Sequence, residues 1–125
     1  HRDLHSFPTR RSSDLLESGS PALQELAAIA LGEARIPEAF PAIKRQWQRT
    51  RETDLRGSFL LAIATLRSED SMAFLLDQLE RGNLPDAKDA LIALDIYRNT
   101  TEIWQQIIRI IQFRENAELT AMSMR

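Results

Sequence analysis

No cysteine occurs in the 125 residues, so disulfides, thiolate metal sites and cysteine nucleophiles are excluded together. Histidine is almost as scarce: the chain has His1 and His5, both at its very start. No apolar run approaches the roughly 18 residues that a membrane-spanning helix needs. No basic start followed by about 7 to 15 apolar residues signals secretion, and a cytoplasmic location is the resulting default. Strict polar/apolar alternation never lasts beyond a few positions, so a sheet is not expected. What remains is the profile of a soluble globular chain long enough for one domain, with 43% hydrophobic and 27% charged residues and a formal net charge of −2.

Residues 1–15, HRDLHSFPTRRSSDL, stand apart from the rest. They are crowded with Arg and Ser, have no helical or strand period and share no pattern with residues 16–125. The segment resembles the conceptual translation of a sequencing adapter and is read as non-native or disordered. With His1 in place of Met, the chain reads as a fragment or a processed product. His1-Arg2-Asp3-Leu4 spells the opening of a protein-kinase catalytic loop, but that motif needs Asn at its eighth position to hold metal and Pro8 stands there. The match is therefore fortuitous. Setting the segment aside removes Arg2, Arg10, Arg11, Asp3, Asp14 and both histidines, which leaves 13 basic and 16 acidic residues from the 16 and 18 of the whole chain.

From Leu16 onward the chain repeats itself. Leu26, Ala28, Ile29, Ala30, Ala39 and Phe40 recur as Leu60, Ala62, Ile63, Ala64, Ala73 and Phe74, an offset of 34, and a looser third copy comes at 29, with Ala62-Ile63-Ala64 matched by Leu91-Ile92-Ala93. Such a period marks a helical repeat array. Ser20-Pro21 predicts a helix start, with Ser20 as cap and Pro21 in the first turn. Leu23, Leu26, Ala27, Ala30 and Leu31 form its predicted apolar face, and Gly32 its stop. Pro37 opens a second helix with the stripe Phe40, Ile43 and Trp47 opposite Lys44, Arg45 and Arg49. Thr53 or Asp54 is expected to cap a third, apolar through Leu55, Phe59, Ala62, Ile63 and Leu66. Met72, Leu75, Leu76 and Leu79 mark a fourth, stopped by Gly82, and Ala87, Ala90, Leu91 and Leu94 a fifth. Asn99 with Glu102 resembles a capping box before a sixth that carries Ile103, Trp104, Ile107, Ile108, Ile110 and Ile111. Asn99-Thr100-Thr101 also fits a glycosylation pattern, which the capping role of Asn99 explains without a secretory context.

These six helices make three antiparallel pairs, each with an apolar face that only a neighbouring pair can cover. The predicted repeat domain spans 16–113, and 114–125 is read as a frayed end or the start of a further repeat. Ala30-Leu31-Gly32, the turn from Glu33 to Pro37, Asp54-Leu55-Arg56 and its echo Asp86-Ala87-Lys88 resemble the HEAT repeat, in particular the short HEAT-like type of phycobilin lyases. Tetratricopeptide repeats place most of a further turn between Leu-Gly and the break, whereas Pro37 comes five positions after Gly32. The resemblance implies an all-α, right-handed, armadillo-type solenoid.

It also implies a non-catalytic protein-interaction scaffold, not an enzyme, with a protein partner and no cofactor. An accessory subunit of a tetrapyrrole lyase complex is the alternative. Iron-dependent HEAT enzymes use His-Glu pairs, and the body has no histidine. Paired acids such as Glu69-Asp70 or Asp86 and Asp89 are favoured near helix starts by the macrodipole and need no catalytic role. Lys44, Arg45, Arg49, Arg51 and Arg56, interleaved with Trp47 and Gln48, could meet phosphate or an acidic protein surface. The acidic balance of the body disfavours nucleic acid. The resemblance places the concave face on the second helices of each pair, with Arg56 and Lys88 at exposed positions and Arg49 and Arg51 in the adjacent loop as the partner-binding candidates.

Overall fold

The computed structural model describes residues 12, 14–17 and 19–125. The expectations for His1, His5 and the kinase-like tetrapeptide lie outside those residues, as does most of what is expected of 1–15. Ser12 and 14–17 are helical, and Leu16 is fully buried. The main helices are α1 (Pro21–Glu33), α2 (Phe40–Arg49), α3 (Thr53–Leu66), α4 (Glu69–Arg81), α5 (Leu84–Leu94), α6 (Thr101–Arg114) and the short α7 (Ala117–Ser123). A 3₁₀ turn over Pro37–Ala39 leads into α2, and another over Asp95–Tyr97 prolongs α5. No strand occurs among the described residues.

The local signals act much as short-range chemistry requires. Ser20 caps α1 by accepting from the Leu23 N–H, and Asn83 caps α5 by accepting from the Asp86 N–H. Ser68 and Ser71 form a reciprocal capping box at the start of α4. Three expected ends differ. Thr100, not Asn99, occupies the N-cap of α6, and Glu52, not Thr53 or Asp54, that of α3; neither side chain makes a capping bond. Gly32 does not stop α1, which runs on to Glu33. A Cβ at Gly32 would lie 2.7 Å from the Ala62 carbonyl oxygen, so glycine is required there for the close approach of α3.

The left-handed turns fall instead on Arg35, Arg67 and Glu115, with φ of 53°, 58° and 57°. A side chain with a Cβ is strained in that region. Glu115 is exposed and caps α6 through its N–H to the Ile111 carbonyl. Glu115→Gly should therefore raise stability by about 0.5–1 kcal/mol, the relief of strain less the entropy that glycine regains in the unfolded chain. A thermal melt by circular dichroism checks it.

The helices form two layers. One contains α1, α3, α5 and α7, each packed on the next; the other contains α2, α4 and α6. Between layers, α2 packs on α3 and α4 on α5, while α2 scarcely touches α1. The pairing is thus shifted by one helix from that read in the sequence: the antiparallel pairs are α2/α3, α4/α5 and α6/α7, with α1 as the second member of an earlier unit. The first layer packs through buried alanines, Ala27, Ala28, Ala62, Ala64, Ala87, Ala90 and Ala93, which let helix axes approach. In the other layer aromatic rings separate the helices, with Phe74 edge-on to Phe40 at 5.6 Å and to Trp47 at 5.3 Å. A stack that is thin on one side and thick on the other curves toward its thin side, so the α1–α3–α5 layer is the inner one.

Burial also corrects the repeat register. Ile43, Leu75 and Ile107 are each fully buried and stand 32 residues apart; Trp47, Leu79 and Ile111 keep the same spacing, as do Leu55, Ala87 and Leu119. At the offset of 34, exposed Leu26 (62%) would be equated with fully buried Leu60, and Ile29 (37%) with fully buried Ile63. The structural period is 32, and the identities at 34 come from the similarity of neighbouring alanine-rich turns. For the same reason Leu23, Leu26 and Ala30 do not belong to the packed face of α1; Ala27, Ala28, Leu31 and Gly32 do.

Candidate partner-binding surface

The four cationic candidates separate into two kinds. Arg56, at the start of α3, is half-buried rather than exposed. Its Nη1 donates to the carbonyls of Trp47 (2.7 Å) and Thr50 (3.0 Å), its Nη2 reaches Asp86 at 3.1 Å, and its guanidinium lies 4.3 Å from the Trp47 ring centroid. Lys88, at the start of α5, pairs with Glu118 of α7. Both lie on the inner layer, and both bind the next helix of that layer. Arg49, in the last turn of α2, and Arg51, in the loop before α3, are exposed, and no side chain holds either among the described residues.

The inner layer is therefore stitched by a row of polar contacts from each helix to the next: Glu25 with Ser58, Arg56 with Asp86, Lys88 with Glu118. The Asp-x-Arg element of the sequence supplies this row, because the acid of one unit receives the cation of the unit before it. A second arginine clasp has no counterpart among the sequence expectations. Arg114 of α6 donates from Nη1 to the Leu79 carbonyl (2.8 Å) and from Nη2 to the Gly82 carbonyl (2.7 Å). These acceptors stand 32 residues after Trp47 and Thr50, the carbonyls that Arg56 holds. The open C-terminal carbonyls of α2 and α4 are thus closed by guanidinium forks, delivered from different sequence positions. No local motif announces such a contact.

Two further groups join neighbouring units. The Tyr97 hydroxyl donates to the Ala64 carbonyl at 3.1 Å, and Arg67 stacks over its ring at 5.1 Å. Burial raises the Tyr97 pKa above its ordinary value, opposed by Arg67 and Arg35. Asp89, beside the ladder, is also shifted upward: burial is the main cause, Asp86 adds to it, and Arg56 opposes it. A carboxyl with a raised folded-state pKa binds its proton more readily when folded, so its charge costs stability above that pKa and the cost fades as pH falls through it. Asp89→Asn is accordingly expected to raise the melting temperature at neutral pH, with the gain shrinking toward acid pH; parallel melts at both ends of that range test it.

No group of His, Cys, Asp and Glu side chains able to hold a metal occurs among the described residues, and none of their helices is long and apolar enough to cross a membrane. A cleft of about 380 Å³ between α4 and α6 is lined by Met72, Ala73, Leu76, Tyr97 and Ile103 together with the polar Arg67, Ser68, Glu69 and Gln106, a seam between units. What the molecule presents is surface: an inner layer with its polar row, and an edge of loops that carries Arg49 and Arg51.

A comparison with curated proteins gives no match, and neither does one with solved structures. A family model described as HEAT repeats matches residues 12–95, which takes in α1 to α5 and the helical turn before them. HEAT repeats are commonly protein-interaction scaffolds and typically not enzymes. The match covers most of the chain, and the two-layer stack is the architecture it implies: the chain belongs to the HEAT repeat family.

Proposed function

We propose that the chain is a non-catalytic, cytoplasmic scaffold that binds a protein segment, with a repeat domain over 16–113 that α7, within 114–125, continues as the second member of the α6/α7 pair. The observation that carries this reading is the HEAT repeat match over residues 12–95. Within it the four cations have different tasks. Arg56 and Lys88 hold the inner layer in shape, while Arg49 and Arg51 offer exposed charge at its edge for an acidic segment of the partner. Two guanidinium groups at the junction of α2 and α3 suit carboxylates, which they can grip in bidentate fashion.

The test uses a panel of extended acidic and basic peptides with fluorescence anisotropy as readout. Acidic peptides should bind, and Arg49→Glu with Arg51→Glu should weaken them at least tenfold while the melting temperature stays unchanged. Equal binding of acidic and basic peptides, or no effect of the double reversal, would remove this edge as the site. Duplex DNA serves as the control for a nucleic-acid role: a complex at low salt that dissolves steeply as salt rises would favour that role instead.

A further inference from the structure

The two seams of the outer layer share the period of 32 but are filled differently. Between α2 and α4, Phe40 and Phe74 meet edge-on at 5.6 Å, and the Lys44 ammonium lies 5.9 Å and 5.2 Å from their ring centroids. The residues 32 positions after Phe40, Lys44 and Phe74 are Met72, Leu76 and Gln106. A flexible thioether and an amide replace the two rings, and the cleft of about 380 Å³ between α4 and α6 opens at that place. Within it Met72, Leu76 and Ile103 are half-buried, whereas Arg67, Glu69 and Gln106 are exposed and form its rim. Arg67 is held over the Tyr97 ring, 5.1 Å from the centroid, and no carboxylate pairs with it among the described residues. Its backbone is left-handed, with φ of 58°, the region that glycine adopts without strain. A cation thus stands at the cleft where the backbone alone favours no side chain.

We propose that this cleft holds the C-terminal residue of a partner protein: its apolar side chain among Met72, Leu76 and Ile103, its terminal carboxylate on Arg67 and its backbone N–H on Glu69. These are the three groups that a terminal residue carries on one carbon. A guanidinium grips a carboxylate through two parallel bonds, and capture of a terminal carboxylate is a recurring mode of peptide recognition. Glu69, an acceptor when ionised, distinguishes the occupant from simpler acids. A free aliphatic acid has no N–H to offer it, and an acidic side chain brings no apolar group with its carboxylate. The cleft lies on the edge opposite Arg49 and Arg51, because α3 (Thr53–Leu66) runs from the one to the other. It rests on the proposed function only in taking a protein as partner.

Fluorescence anisotropy tests the proposal, with a glycine–serine peptide that ends in leucine and is labelled at its N-terminus. The free acid should bind saturably, and its C-terminal amide and a serine-ended version at least tenfold more weakly. Met72→Phe with Gln106→Phe rebuilds the ring pair of the preceding seam and should weaken binding at least tenfold with helical content unchanged by circular dichroism. Arg67→Gln, at an exposed position, should do the same and carries the test alone if the plugged variant misfolds. Arg49→Glu with Arg51→Glu should leave this peptide's binding unchanged, so failure of one site is distinguishable from failure of the other. The proposal is overturned if acid and amide bind alike, if no saturation occurs below about 1 mM, or if Arg67→Gln binds as the wild type does. Displacement of the peptide by an equal concentration of hexanoate would also overturn it, since the cleft would then belong to a free aliphatic acid.

Discussion

Replacing Phe59 by alanine is expected to cost about 3–5 kcal/mol, a large part of the roughly 5–15 kcal/mol that holds a domain of this kind together. Phe59 is fully buried on α3, the helix that packs on α1, α2, α4 and α5, so its ring belongs to the core that several units share. Truncation leaves a cavity that four surrounding helices would have to collapse into. In a repeat array each unit is stable only through its neighbours, and damage at α3 disconnects α1 from α5. Urea unfolding monitored by circular dichroism should show the midpoint falling sharply, and thermal melting should fall by about 10 °C or more. Phe113→Ala is the matched control. That side chain is 85% exposed, and its loss should stay within about 0.5 kcal/mol. Similar losses at the two positions would contradict a core centred on α3.

Arg56→Ala is expected to cost about 2–3 kcal/mol, because hydrogen bonds to a charged group contribute about 1.5–3 kcal/mol when a partner is left unsatisfied. The side chains of Arg56 and Asp86 are 21% and 16% exposed, so water replaces the lost contacts only in part. Arg56→Lys separates the causes. Lysine keeps the charge but cannot hold two carbonyls and a carboxylate from one planar fork, so it should recover less than half of the loss. A double-mutant cycle with Asp86→Asn isolates the ion pair from the carbonyl clasp. If Arg56→Lys restored full stability, charge alone would be the relevant property and the fork geometry would be irrelevant.

Much of the architecture is legible in residues that act on their near neighbours. Ser20, Pro21 and Asn83 mark helix starts because caps and prolines work within one turn. Ile43 with Trp47, and Leu75 with Leu79, sit four apart and so share one face of a helix. The repeat itself is visible too, but its strongest identities, Ala28/Ala62 and Ala30/Ala64, give a false register, because in that stretch almost any shift aligns one alanine with another. A better guide lies in the charges: Asp54 and Asp86, like Arg56 and Lys88, are 32 apart, and the cations and Asp86 are tied to specific partners.

By itself, then, the order of residues determined that this chain is a row of helices with small side chains along one set and aromatic ones along the other. It also determined that the body holds no histidine or cysteine. Local propensity, capping and periodicity are properties of a few consecutive positions, and they survive without a fold. Only the tertiary structure decided which helices pair, which side of the stack is inner, and which cations are held. Arg56, Lys88 and Arg114 meet partners 30 to 35 residues away, and such contacts exist only once packing has brought distant turns together. Arg49 and Arg51 were left exposed at the edge for the same reason: among the described residues no neighbouring unit brings an acidic side chain into a pair with either.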